Sequence, residues 1–325
     1  MTPILDPEAQ RDHAWRNLAH TGLLLGGIGL LLAVSSAMIW GWIGVICTLA
    51  AVAILFLTSP RIPPEMVMRL YSAVPVDATR GGQLYDLIQA VSSRAGLERQ
   101  PQLYVIPSMT LNAFAAGNRD HAAIGITEGL LRRLSLREIA AVLAHEVSHI
   151  RNNDLQVMGL ADLMSRFTLA LSYTGVLLAV LNLFEMMTLG EARVPWVGIA
   201  LLYLAPTISS LLQLGLSRAR EYDADLGSVR LTGDPAGLIS ALHKLERYTG
   251  RFWEDLMFPV PGRRVPQPSV LRSHPSTEDR IARLADLAPT ANTPPLVIVE
   301  RPIVSLVGFG PMSMRPRYRF PGMWY

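Results

Sequence analysis

Residues 135–149 read Ser-Leu-Arg-Glu-Ile-Ala-Ala-Val-Leu-Ala-His-Glu-Val-Ser-His and carry the strongest pattern in the chain. Ser135 and Glu138 have the spacing of a capping box, which begins a helix. On that helix His145 and His149 share one face, about 5–6 Å apart. Two imidazoles at this spacing can hold one Zn²⁺ ion. The segment therefore predicts a helix that presents two ligands of a single zinc ion per chain.

Glu146 directly follows the first of these two histidines. Zinc lowers the pKa of a bound water molecule to about 7, and a carboxylate at this position can reach that water. In peptide hydrolysis the carboxylate would take the water's proton and pass it to the leaving amine. Glu146 is therefore the candidate general base.

The third ligand must come from elsewhere, because a catalytic zinc site has three protein ligands and one open position. The only cysteine, Cys47, lies in an apolar run and is not a candidate. Acidic residues follow a later apolar run at Glu221, Asp223 and Asp225. Asp225 shares a helical face with Glu221. The residues by themselves leave the choice among these three open.

Apolar runs predict four membrane-spanning helices. No Asp, Glu, Lys or Arg occurs between Arg16 and Arg61, and one span takes about 20 apolar residues. This run predicts helices over 21–39 and 43–58, joined by a tight turn at Trp40-Gly41-Trp42. Charge-free runs over 167–184 and 194–217 predict spans three and four.

The placement of arginines predicts the orientation of these spans. The short loops at one side hold only Arg193, whereas the other side holds Arg11, Arg16, Arg61, Arg69, Arg166, Arg218 and Arg220. The positive-inside rule then places both termini, and the part between spans two and three, in the cytoplasm. The alternative is a cleaved signal peptide whose apolar region is 23–34. The second apolar run follows at once and favours a retained hairpin.

Composition excludes several classes of protein. Half of the 325 residues are hydrophobic and 17% are charged, whereas a soluble domain has about 25% charged residues. The net charge of +3 is too balanced to indicate a nucleic-acid partner. One cysteine allows neither an internal disulfide nor a cysteine-rich zinc site. The predicted partners are polypeptide substrates and the lipid bilayer; the oligomeric state is left open.

Short elements are predicted between spans two and three and after span four. Periodicity predicts a helix over 81–96 and strands over 102–106, 112–116 and 122–127. Asp234-Pro235 caps a helix that runs through Leu245. The strand with Asn112, Ala113, Phe114 and Ala115 suits the edge of a sheet, where a substrate adds as a further strand through main-chain hydrogen bonds. A plain core strand fits these residues equally well.

Taken together, these motifs resemble those of the HtpX-like membrane zinc endopeptidases, which are relatives of the CAAX prenyl endopeptidases. H-E-x-x-H followed by E-x-x-A-D carries the resemblance, together with the segments 112–115, 127–131 and 153–154, His274-Pro275 and Arg280. It covers about residues 20–284. The loop 258–270 and the tail after about residue 288 are not part of the pattern, so their roles are open.

The resemblance implies a role for each matched residue. Glu221 would be the third ligand, beside His145 and His149, and Glu146 the general base. Asp225 would orient a ligand imidazole, and Arg280 would pair with Asp225. His274 would donate to the oxyanion of the tetrahedral intermediate. The resemblance also favours Asn112, Ala113, Phe114 and Ala115 as a substrate-binding edge over a plain core strand.

The predicted fold class is a mainly α membrane protein with a small β-sheet: four transmembrane helices plus a zincin-type cytoplasmic protease domain. The predicted parts are an N-terminal cytoplasmic segment (1–20), a transmembrane hairpin (21–59), a protease part with the zinc helix (60–157), spans three and four (158–217), a protease part with the third ligand (218–288) and a proline-rich tail (289–325).

The predicted function is zinc-dependent hydrolysis of misfolded or damaged membrane proteins in the bacterial cytoplasmic membrane, with the active site on the cytoplasmic side. This would be proteolytic quality control under stress. One alternative is a prenyl-protein (CAAX) endopeptidase, which has the same chemistry but another substrate. The other is a non-catalytic, zinc-stabilised membrane chaperone or scaffold.

Overall fold

A computed structural model describes residues 7–58, 63–192, 194–257, 277–287, 295–298, 318–319 and 323–324. The chain divides into two compact units. The sheet unit comprises Met1–Arg11, Arg61–Leu155 and Arg220–Tyr325. The helical unit comprises Asp12–Pro60 and Gln156–Ala219.

Helices dominate the described part of the chain. They are α1 (Pro7–Thr58), α2 (Pro64–Leu70), α3 (Ala78–Ala95), α4 (Glu128–Arg133), α5 (Leu136–Arg151), α6 (Asp154–Leu189), α7 (Trp196–Thr232), α8 (Pro235–Met257) and α9 (Thr277–Leu287). The strands are β1 (Val74–Val76), β2 (Gln102–Ile106), β3 (Ala113–Gly117), β4 (Ala122–Thr127), β5 (Tyr318–Arg319) and β6 (Met323–Trp324).

The helical unit contains most residues of the long apolar helices. Among the residues that the structure describes, three helical segments are long and apolar enough to cross a membrane: Leu18–Thr58, Asp154–Leu189 and Trp196–Thr232. The first of them is 41 residues long and breaks at Gly41, whose φ of 65° and ψ of −156° are outside the helical region. Positive φ favours glycine because it has no Cβ. The break lies at the predicted Trp40-Gly41-Trp42 turn.

Buried side chains and a few polar contacts hold the helical unit together. Its core contains Ile28, Leu32, Val52, Ala161, Met164, Leu171 and Leu216. The Ser165 and Ser209 hydroxyls lie 2.8 Å apart, between α6 and α7. The Asn182 side chain donates to Val194 O and accepts from Val194 N, at 2.9 and 3.0 Å, and so fixes the loop between the two helices.

A four-stranded sheet forms the centre of the sheet unit, in the order β1-β2-β4-β3. β2 and β4 are parallel, and the two outer pairings are antiparallel. One face of the sheet packs on α3 and α5 through Leu103, Ile124, Leu143 and other buried residues. Met68 of α2 covers the other face, with Tyr104 and Ala123. β3 is therefore an edge strand next to the helix that carries the histidines.

The structure agrees with most predicted elements and differs at several others. β2 and β4 have the predicted bounds, and β3 is Ala113–Gly117, one residue later than the predicted strand 112–116. Leu84, Leu87, Ile88 and Val91 of α3 are buried. β1 was not predicted. α5 ends at Arg151, and Asn153 with a φ of 58° begins a new direction. α8 runs twelve residues beyond Leu245, to Met257.

Some predictions lie outside the described residues. These are His274, the loop 258–270 and most of the tail. Of the tail, Pro295–Ile298 is described, and Leu296 N donates to Thr232 O at 2.7 Å. Leu296 and Ile298 pack against the core of the sheet unit.

Candidate metal centre

Three side chains from α5 and α7 converge in the sheet unit. His145 and His149 come from successive turns of α5, and Glu221 comes from α7. One ligand atom from each residue lies within 4.8 Å of the other two. His145 Nε2 is 3.1 Å from His149 Nε2 and 3.5 Å from Glu221 Oε2, and His149 Nε2 is 3.9 Å from Glu221 Oε1.

These distances fit a zinc ion. Ligand atoms at about 2.0–2.2 Å from a tetrahedral Zn²⁺ are separated by about 3.4 Å. The three observed separations of 3.1, 3.5 and 3.9 Å surround that value. Two imidazoles and one carboxylate are also a donor set that catalytic zinc sites use, with a fourth position left open. The residues present therefore fit a catalytic metal site.

A carboxylate faces the remaining ring nitrogen of each histidine. Asp154 Oδ2 lies 2.8 Å from His149 Nδ1 and forms a hydrogen bond with it. Asp225 Oδ1 lies 3.0 Å from His145 Nδ1, at ion-pair distance but off the direction of the ring N–H. A carboxylate at Nδ1 holds the proton there, which leaves the Nε2 lone pair for a metal.

Each of these carboxylates is held by an arginine. Arg280 of α9 binds Asp225 through two contacts, Nε–Oδ2 at 2.7 Å and Nη2–Oδ1 at 2.5 Å. The same guanidinium lies 3.4 Å from Glu221 Oε2. Arg220 Nη1 donates to Asp154 Oδ1 at 3.1 Å. Asp154 and Arg220 were not assigned a role from the sequence, although Asp154 was part of a matched motif.

The site attracts positive charge. Burial by itself lowers the pKa of His145, but the nearby negative groups Asp225 and Glu221 outweigh burial and raise this pKa to about 10. Burial would raise the pKa of Asp225, yet the hydrogen bonds from Arg280, together with the nearby His145 ring, keep it below its usual value. The buried carboxylates of Asp225 and Glu221 therefore favour a cation beside them, whether a proton on His145 or a metal ion.

Glu146 lies beside the metal-ligand cluster and is 9% exposed. Burial raises its pKa; charge on His145 and His149 acts in the opposite direction, and so does a hydrogen bond from the Ala115 main-chain N–H. A raised pKa makes a carboxylate a stronger proton acceptor once it is ionised. The hydrogen bond also joins Glu146 to edge strand β3.

One edge of β3 is directed away from the sheet. Thr127 N donates to Asn112 O, and Asn118 N donates to His121 O, so the even-numbered residues of this strand pair with β4. Because antiparallel pairs alternate, the main-chain groups of Ala113, Ala115 and Gly117 point to the other side. Gly117 ends the strand with a φ of 99°, where an added Cβ would lie 3.1 Å from Ala122 Cα.

The structure thus brings together nearly all the predicted site residues that it describes. His145, His149, Glu146, Glu221, Asp225 and Arg280 form one cluster, and strand β3 with Ala113, Phe114 and Ala115 contacts it through Ala115. Asn112 lies just before β3 and pairs with Thr127. Asp223, the open alternative to Glu221, is not part of the described cluster. Asp154 begins α6 only five residues after His149. This closeness and the matched segment 153–154 are the sequence signals for it.

Comparisons with known proteins agree with this geometry. A model of peptidase family M48 matches residues 78–288. The protease HtpX homologue of Paraburkholderia phytofirmans is 35% identical over an alignment of 292 residues, which covers 84% of this chain and 98% of the relative. The protease HtpX homologue of Ralstonia pickettii is 33% identical over 289 residues, which covers 86% of this chain and 99% of the relative.

One solved structure is also similar. The crystal structure of S. mikatae Ste24p matches with a TM-score of 0.43 and 20% identity, over 84% of this chain and 66% of that chain. The family match and the two HtpX homologues are the stronger findings, since they span most of the chain. The chain is a membrane metalloprotease, and it belongs to peptidase family M48.

Proposed function

We propose that the chain holds one zinc ion with His145, His149 and Glu221 and hydrolyses peptide bonds with Glu146 as general base. The main support is that one ligand atom from each of these three residues lies within 4.8 Å of the other two. Buried Glu146 lies beside them and contacts edge strand β3. When bound, zinc supplies Lewis acidity, which polarises a carbonyl oxygen and makes water a stronger acid.

The protein's own groups supply proton transfer and orientation. Glu146 takes a proton from the attacking water and gives it to the leaving nitrogen as the C–N bond breaks. Asp225 holds the His145 imidazole in orientation. Arg280 fixes Asp225 and balances its charge. His274 is proposed as the donor to the oxyanion, on the resemblance alone.

The substrate would bind along β3. The outward main-chain groups of Ala113 and Gly117, and the carbonyl oxygen of Ala115, are the hydrogen-bonding groups that an added strand needs. The alanine side chains leave room for its backbone. Because these contacts use the main chain, they select an extended polypeptide rather than a particular sequence.

We propose four spans and a cytoplasmic active site. The 41-residue apolar segment of α1 would be about 60 Å long as one straight helix, twice the thickness of the hydrocarbon core. The break at Gly41 supports two spans instead. The excess of arginine at one side supports a cytoplasmic location for the sheet unit.

Misfolded or damaged membrane proteins are the proposed substrates, in quality control at the bacterial cytoplasmic membrane. A membrane anchor and a sequence-tolerant binding edge support this class. The relatives' name, protease HtpX homologue, favours it over the prenyl-protein endopeptidase. Cleavage of a C-terminal C-a-a-X peptide would instead support that alternative. A non-catalytic scaffold has no need of a base at Glu146.

Glu146→Gln tests the mechanism. The purified full chain should keep one zinc ion, measured by elemental analysis, because the ligands are intact. Cleavage of an unfolded membrane protein should fall by about 10²–10⁴-fold, because proton transfer is lost. The matched control is Glu98→Gln in an exposed turn, which should keep both zinc and activity. Undiminished cleavage by Glu146→Gln would contradict the mechanism.

A further inference from the structure

Asp154 and Arg220 lie at two of the four points where the chain passes between its units. One of these boundaries follows Leu155, and the next lies between Ala219 and Arg220. Asp154 is the first residue of α6, and Arg220 lies within α7 next to Glu221. Their ion pair, within the sheet unit, therefore joins these two passages.

This ion pair is buried and points at the metal centre. Asp154 is 2% exposed and Arg220 is 5% exposed. One oxygen of Asp154 accepts from Arg220 at 3.1 Å, and the other bonds His149 Nδ1 at 2.8 Å. A buried charge is costly without partners, so Asp154 needs both the arginine and the imidazole.

The backbone is shaped to bring Asp154 to this place. Asn153 takes a φ of 58°, an uncommon conformation for a residue other than glycine. This turn ends α5 and allows α6 to begin with the Asp154 carboxylate facing back to His149. Half-buried Asp162, two turns further along α6, instead pairs with Arg166 of the same helix. The two aspartates are thus alike in chemistry and differ in what they contact.

We propose that Asp154 and Arg220 are positioning residues for His149, and that they fix the direction in which its Nε2 faces the metal. The inference rests on the proposed role of His149 as a ligand. Arg220 holds the Asp154 carboxylate, and this carboxylate holds the proton on His149 Nδ1. The lone pair of His149 Nε2 is then directed at the metal position that His145 and Glu221 also face. Loss of such a partner lowers metal affinity by about 10–100-fold.

The test compares zinc affinity of the purified full chain with that of variants, by competition with a chelator. Asp154→Asn should bind zinc about 10–100-fold more weakly, and Arg220→Gln should bind it more weakly than the wild type. The double variant should lose less than the product of the two single losses, because the pair acts as a unit. Asp162→Asn, the matched control on α6, should bind like the wild type.

Replacing zinc by Co²⁺ gives a spectroscopic measurement that a general loss of stability would not change. The visible absorption bands of Co²⁺ depend on ligand geometry, so they should shift in Asp154→Asn and stay unchanged in Asp162→Asn. Asp154→Glu keeps a carboxylate and should recover part of the zinc affinity.

Wild-type zinc affinity and an unaltered Co²⁺ spectrum in Asp154→Asn would overturn the proposal. If Asp154→Asn fails to fold, Arg220→Gln decides in the same assays, since it leaves the carboxylate in place. Absence of stoichiometric metal in the wild type would instead overturn the metal assignment, and this inference with it.

Discussion

Each of the two candidate histidine ligands faces a carboxylate, and each carboxylate is bound by an arginine. The pairs Asp225–Arg280 and Asp154–Arg220 make this arrangement nearly symmetric about the cluster. The order along the chain does not have this symmetry, because the four residues come from α6, α7 and α9. A local pattern such as H-E-x-x-H specifies the ligands, while their support depends on tertiary contacts.

Replacing Glu221 tests the choice of carboxylate. Glu221→Ala should weaken zinc binding by more than the about 10–100-fold loss caused by removing an outer partner, because a direct ligand is lost. Asp223→Ala is the control on the same helix and should have little effect, since Asp223 is not part of the described cluster. Chelator competition measures both. The reverse order of effects would show that the wrong carboxylate was chosen.

The sequence could identify the two histidines and the base, because these depend on spacing within one helix, α5. It also indicated three candidate carboxylates, because they follow an apolar run in what is now α7. It could not choose Glu221 without the family resemblance, because the choice depends on how α7 crosses α5. Asp154 and Arg220 were missed for the same reason. Their ion pair joins residues that are far apart in the chain, and no periodic pattern in the sequence indicates it.

At the scale of elements, the start of α5 is fixed by a buried network around Glu138. The predicted capping box is present, and Glu138 also accepts from Ser240 and Lys244 of α8 at 2.5 and 2.7 Å. Burial would raise the pKa of Glu138, but the hydrogen bonds from Lys244, Ser240 and the Ser135 main chain outweigh it and lower this pKa. The network therefore joins α5 to α8 in a pH-dependent way.

Glu138→Gln should lower stability at pH 7 by about 1–3 kcal/mol, because charge-assisted hydrogen bonds are lost. Since the folded-state pKa of Glu138 is lowered, its contribution is fully present above the ordinary glutamate pKa of about 4.3. It is lost progressively as the pH falls from there through the lower folded-state pKa. The difference in Tm from the wild type should thus shrink from pH 7 to pH 4. Exposed Glu98→Gln should show no difference at either pH. A constant difference would contradict the charge argument.

The crossing of α5 and α7 depends on a glycine. A Cβ at Gly227 would lie 2.8 Å from Ser148 Cβ, so the helices would have to separate. Ser228 Oγ donates to Ala141 O at 2.7 Å next to this contact. The two helices carry all three candidate ligands, and their close approach is therefore a condition for the site.

Gly227→Ala should lower stability by about 1–3 kcal/mol through overpacking and should weaken zinc binding as well. Gly159→Ala is the control, because a Cβ at Gly159 meets nothing within 4 Å. Thermal unfolding and chelator competition measure the two effects. Combining Gly227→Ala with Ser148→Gly should restore part of both; no recovery would mean that the contact is not the cause.

Elements with a regular period were predictable, and their irregular ends were not. β2 and β4 follow from runs of apolar and β-branched residues. β1 has only three residues, one of them Pro75, and so gives no strand signal. The end of α5 depends on the left-handed conformation of Asn153, which the apolar pattern of the helix does not indicate.

At the scale of the whole molecule, the break at Gly41 predicts where the chain meets the outer surface of the membrane. In a Cys47→Ser background, Trp40→Cys and Glu191→Cys should react with an impermeant maleimide added to intact spheroplasts. Glu98→Cys should react only after the membrane is permeabilised, because the sheet unit is proposed to be cytoplasmic. Labelling of Glu98→Cys in intact spheroplasts, or protection of Trp40→Cys, would contradict the four-span topology.

The hydrogen bond between Glu146 and Ala115 has a consequence for which proteins can be degraded. The strand that would receive a substrate offers only backbone donors and acceptors, so a target must bring backbone groups that are themselves unpaired. A natively folded chain has already satisfied its own amides and carbonyls. Discrimination between intact and damaged proteins would then need no recognition of any side chain, since only a polypeptide that has lost its own pairing can lie against the catalytic base.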